Sequence, residues 1–127
     1  MNVGKLYKVK KLFWLLYPTK DIAAEAVELP LLVAVATHLL PLDDVGSSAG
    51  TAATRTGPDA ALLAAIASRH FNCNVSFVSP NDIFCLIDLE EDGKYLKVLT
   101  TTGELGWIIY DEDQGLWAKG SIEEVNQ

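Results

Sequence analysis

The chain predicts an α+β domain: a small antiparallel β-barrel with a helical insertion after its first strand. Three observations carry this. From residue 73 onward, short apolar runs alternate with polar turns: SPND (79–82), EEDG (90–93), TTGE (101–104) and DEDQG (111–115). Short strands spaced by Gly- and Asp-rich turns are the pattern of an antiparallel barrel or sandwich. Ahead of them GKLYKVKKLFWLLY (4–17), rich in aromatic and aliphatic residues and closed by Pro18, reads as one more strand, first exposed and then buried. Between the two lies a segment, 18–72, whose Ala-rich parts read as helix. One domain is expected over residues 1–127, with barrel strands at 4–17 and 73–122 and the insertion at 18–72.

In chain order, DIAAEAVELP (21–30) is helical in its first half, with an acid at its start, until Pro30 breaks it. LPLLVAVATHLLPL (29–42) stays open between helix and strand: Val33, Val35 and Thr37 alternate, yet the length suits a buried helix. Its fourteen residues are too few to span a bilayer. DDVGSSAGTAATRTG (43–57) has almost nothing to bury and reads as a flexible loop. PDAALLAAIASRH (58–70) reads as a helix, with capping-box spacing at Thr56 and Asp59 and Pro58 in the first turn. Arg69 and His70 suit its C-terminal end, and Leu62, Leu63 and Ile66 form its apolar stripe. Strands follow at 73–79, 83–89, 94–100 and 106–110, and LWAKGSI (116–122) closes the set.

The hairpin residues Val98, Gly103, Gly106, Trp107 and Ile108 fit a pattern x-V-x-x-x-x-G-x-x-G-W-I/V. With the strands before it and the short strand after, residues 74–125 resemble the bacterial and phage type of Src-homology-3-like barrel. The resemblance implies that GKLYKVKKLFWLL is the barrel's first strand and that 18–72 is an insertion in its long first loop. It also implies a stand-alone, phage-style binding module. An acidic-aromatic stretch of the ALYDY kind is missing, so polyproline recognition is not expected, and no catalytic domain of the cell-wall-targeting kind is appended. The residues make physical sense without the family. Gly103 can take the positive φ of a tight hairpin turn. Gly106 leaves room for a large ring, and Trp107 plugs the barrel end.

The net charge of −7 argues against a protein that coats phosphates. The charge is split: residues 1–20 hold five lysines and no acid, whereas the remainder holds all 17 acids against five bases. A Lys-rich edge strand that pairs with an acidic surface and resists edge-to-edge aggregation explains the split, with a basic docking strip as the alternative.

Chemistry-bearing residues are sparse. His38 reads as a core or interface residue and His70 as a helix-end residue. Cys73 and Cys85 stand without a Cys/His cluster, so they read as reduced thiols, with a cross-strand disulfide as the alternative. Asp43–Asp44, Asp88 with Glu90–Asp92, and Asp111–Asp113 sit at turns without an EF-hand frame, and GSSAG (46–50) lacks the Lys of a phosphate loop. No catalytic, cofactor or metal site is expected, and the protein reads as no enzyme. LFWLLY is too short an apolar block for a signal sequence.

The aromatics Trp14, Tyr17, Trp107, Tyr110 and Trp117 remain as candidate partner contacts, with Trp117 first because it follows an acidic, Gly-containing turn. The expectation is a soluble, non-enzymatic protein-binding or structural module, cytoplasmic (host cytoplasm or virion if phage-encoded), with no membrane association. Its apolar insertion either packs on the barrel or forms a homo-oligomer interface. The alternatives are a nucleic-acid-binding barrel using the Lys-rich strand, and a cell-wall or glycan-binding module.

Overall fold

The fold is known from a computed structural model, which describes residues 2–27, 53–54, 57–110 and 122–125. Segment 29–42, most of the 43–57 loop, Thr56 of the expected capping box and the expected contact residue Trp117 lie outside them. The described residues form, in order, β1 (Leu6–Val9), β2 (Phe13–Leu16), α1 (Lys20–Val27), β3 (Ala53–Thr54), α2 (Gly57–Phe71), β4 (Ser76–Val78), β5 (Ile83–Glu90), β6 (Tyr95–Thr100), β7 (Leu105–Ile109) and β8 (Ile122–Glu124). The strands make a five-stranded sheet in the order β7-β6-β5-β1-β8 and a three-stranded sheet in the order β3-β2-β4. Every pairing is antiparallel.

The α+β class and the antiparallel strands agree with expectation, but the strands do not close into a barrel. The reason lies in the first strand. Residues 4–17 form two strands rather than one, because the chain leaves the large sheet after Val9 and re-enters as β2 of the small sheet. An isolated bridge links the sheets where Tyr17 and Trp107 exchange backbone hydrogen bonds of 2.8 and 2.7 Å. The expected Lys-rich edge strand is corrected as well: β1 lies inside the large sheet, between β5 and β8.

β2 separates two cores, which is why its sequence is apolar without alternation. Trp14 and Leu16 point into one core, with Tyr7 and Val9 of β1, Phe84 and Leu86 of β5, Leu96 and Val98 of β6, Ile108 of β7 and Ile122 of β8. Leu15 and Tyr17 point into the other, with Ala23 and Ala26 of α1, Leu63, Ala64 and Ala67 of α2, Val75, Tyr95 and Ile109. Thr19 precedes α1, and its Oγ1 accepts the Ile22 N–H at 3.3 Å and so caps the first turn. The buried stripe of α2 is Ala60, Leu63, Ala64 and Ala67, spaced three and four apart, while Leu62 of the expected stripe is exposed. Small alanines let the helix lie close against β2 and β4. α2 ends with Asn72 at φ 51°, where the Cys73 N–H reaches back to the Ser68 carbonyl at 3.1 Å.

The hairpins follow their turn residues. Gly103, at φ 89°, closes the β6–β7 turn. Gly106 is required for a different reason than room for a ring. A Cβ there would meet Leu16 Cγ at 2.7 Å and the Tyr17 carbonyl oxygen at 2.8 Å, because the end of β2 crosses β7 at this point.

Candidate functional site

Alternation along a strand sends every second side chain to each face of a sheet. One face of the five-stranded sheet holds Tyr7, Phe84, Leu96, Val98 and Ile108 in the core. The register fixes the other face. Leu6 stands opposite Cys85, Cys85 opposite Leu99, and Leu99 opposite Leu105. On the far side of Leu6, the Val125 N–H donates to the Leu6 carbonyl at 2.9 Å and continues the β1–β8 ladder. Val125, Leu6, Cys85, Leu99 and Leu105 therefore form one apolar row across the full width of the sheet.

Next to this row the β5–β6 register slips between Leu86 and Asp88, so Ile87 is an extra residue on β5. Beside it, Asp88 faces Lys97 and Lys97 faces Trp107. The Lys97 ammonium stands 6.0 Å above the Trp107 ring, at the limit of a cation–π contact. One step further, Glu90, Tyr95 and Ile109 share a row. Here Ala23 and Ala26 of α1 cover the sheet, and Lys20 meets Glu90 at 2.7 Å. The hydrogen bond to Glu90 holds the Lys20 pKa above its ordinary value. The helix thus covers one end of the face and leaves the apolar row open.

Exposure singles this face out. Six large hydrophobic residues are exposed among the described residues, and four belong here: Leu105 (54%), Leu99 (39%), Ile87 (38%) and Leu6 (37%). Cys85 and Val125 are half-buried. Scattered exposed aliphatics need no explanation, whereas these four lie on one face of one sheet.

The aromatics expected to meet a partner lie elsewhere. Trp14, Tyr17 and Tyr110 are buried. Trp14 packs on Tyr110 with ring centroids 5.5 Å apart, and its indole N–H has no acceptor among the described residues. Burial, and then the nearby Cys73, push the Tyr17 phenol well above its ordinary pKa. Trp107 alone of the described four is half-buried at the open face, and it packs against the helical core rather than plugging a barrel end. Sequence reasoning put weight on the aromatics and missed the aliphatic row. Its one sequence signal was the odd member of each strand, Leu6, Cys85, Leu99 and Leu105, apolar where a solvated face calls for a polar residue.

The basic stretch is partly neutralised: Lys8 stands opposite Glu123, and Lys10 lies 3.1 Å from the same carboxylate. Both cysteines are free thiols. Among the described residues no group of His, Cys, Asp and Glu could hold a metal ion, and no helix is long and apolar enough to cross a membrane. The chain matches no protein-family model, and comparison with curated proteins and with solved structures finds none similar.

Proposed function

We infer that this chain is a non-enzymatic protein-binding or structural module that makes its contact through the open face of the five-stranded sheet. The observation that carries the reading is the apolar row of Leu105, Leu99, Cys85 and Leu6, in register on four strands and continued by Val125 just beyond β8. Water-facing aliphatics gain free energy when a partner covers them, roughly 25 cal/mol for each Å² removed from water. A Src-homology-3-like module of the bacterial or phage type, acting in the host cytoplasm or the virion, belongs to the same proposal. Its support is the placement of β8 beside β1 and β1 beside β5, with the Val98–Gly103–Gly106–Trp107 hairpin next in the sheet.

The test is capture of partners from a lysate by immobilised wild-type protein, Leu99→Lys with Leu105→Lys, and Leu62→Lys on the exposed side of α2. The sheet-face variant, shown to be folded by circular dichroism, is expected to lose what wild type and Leu62→Lys retain. Equal capture by all three would remove the sheet face from the function.

A further inference from the structure

The partner class can be argued from charge. Each described carboxylate on the open sheet face has a lysine against it: Glu123 has Lys8 opposite and Lys10 at 3.1 Å, Asp88 has Lys97 opposite, and Glu90 has Lys20 at 2.7 Å. With four lysines against three carboxylates, the described charges of this face nearly cancel, on a chain whose net charge is −7. A strongly basic or acidic partner finds little complement there. A second copy fits, because two like-charged molecules approach at least cost where their own field is weakest.

The row also has the shape that self-association needs. Cys85, a small residue, stands on the middle strand of five, with Leu6 and Val125 on one side and Leu99 and Leu105 on the other. A two-fold axis lying between two facing sheets and running along their middle strands lays the row of one copy on the row of the other and sets aliphatics on aliphatics, which is an isologous contact. We propose that the chain forms a symmetric homodimer by packing the open faces of two five-stranded sheets, with Cys85 next to the axis. Packed sheets lie about 10 Å apart, too far for a Cys85–Cys85 disulfide, so the contact is held by apolar packing alone. The inference rests on the reading of this face as the contact surface and names its occupant.

The experiment is sedimentation equilibrium on the full chain at low and high salt, with alkylation of Cys85 by iodoacetamide followed in a Cys73→Ser background. A dimer is expected, tighter at high salt because screening weakens the repulsion between like-charged copies. Leu99→Lys with Leu105→Lys, folded by circular dichroism, is expected to raise the dissociation constant more than about ten-fold, since interface energy concentrates in a few buried anchors. Leu62→Lys is expected to leave it unchanged. Cys85 alkylation should slow as protein concentration rises in the parent and stay fast in the sheet-face variant.

A monomer at every concentration overturns the proposal, as does a dimer that survives the sheet-face substitutions or Cys85 reactivity that ignores concentration. A monomer whose sheet-face variant still loses a captured partner removes the second copy and leaves the binding-module reading standing. A monomer whose variants all capture alike removes both.

Discussion

At Gly106 a single hydrogen atom stands where any other side chain would begin. The nearest atoms to a Cβ there are Leu16 Cγ, Leu16 Cδ1 and the Tyr17 carbonyl oxygen, all within 2.8 Å. Leu16 is buried and the carbonyl is held by the Trp107 N–H, so neither yields cheaply. Gly106→Ala is expected to cost about 1–3 kcal/mol as an overpacked site, read from urea midpoints at constant m-value. The neighbouring Tyr17 supplies a pH prediction. Burial and then Cys73 hold its phenol protonated well beyond the ordinary range, while the unfolded chain releases that proton near pH 10. The folded-state pKa is the higher one, so the stabilisation is complete below about pH 10 and is lost as pH rises above it. Lys20, raised by Glu90, is lost in the same direction but is present in both proteins compared. Tyr17→Phe should therefore flatten the alkaline decline in unfolding free energy; parallel declines for the two proteins would refute the burial argument.

At the scale of elements, α2 shows how an end is specified. Arg69 and His70 were the legible signals, and both lie in the last turn, but the residue that stops the helix is Asn72 in the left-handed region. Asn72→Gly should be neutral or stabilising in thermal melts. Asn72→Ala should cost about 1 kcal/mol, because alanine lacks both glycine's freedom and asparagine's tolerance of positive φ. The strands β4 to β7 and the two described helices could be read from period and turn chemistry because those signals are local, whereas β8, at Ile122–Glu124, shares only Ile122 with the strand expected at 116–122. The division of residues 4–17 could not. The change from partial alternation at Leu6–Val9 to an unbroken block at Phe13–Leu16 marks a strand passing from a one-sided to a two-sided burial, and the period is silent on the change of sheet between them. The open apolar row was legible only residue by residue, and not as a row, for a related reason. Each member is an ordinary aliphatic or thiol in its own strand, and only the long-range register of β1 with β5 and β8 aligns Leu6 with Cys85 and Val125.

At the scale of the whole molecule, the two cores share β2 side by side: Leu16 faces one and Leu15 the other. A strand cannot leave one core while its alternate side chains stay packed in the second, so the cores should open together. Leu15→Ala removes a fully buried side chain from the helical core and is expected to cost about 2–5 kcal/mol. If β2 couples the cores, native-state hydrogen exchange will speed up not only at Leu63 and Ala64 of α2 but also at Leu96 and Val98 of β6, across the strand. Leu16→Ala should do the same from the opposite side. Faster exchange confined to α2 after Leu15→Ala would mean that the helices open as a separate unit. The Tyr17–Trp107 bridge would then be a hinge point between two cooperative bodies. Matched acceleration on both sides would make the open sheet face part of the same rigid body as the helices, so that a partner covering it would stabilise the helical core as well.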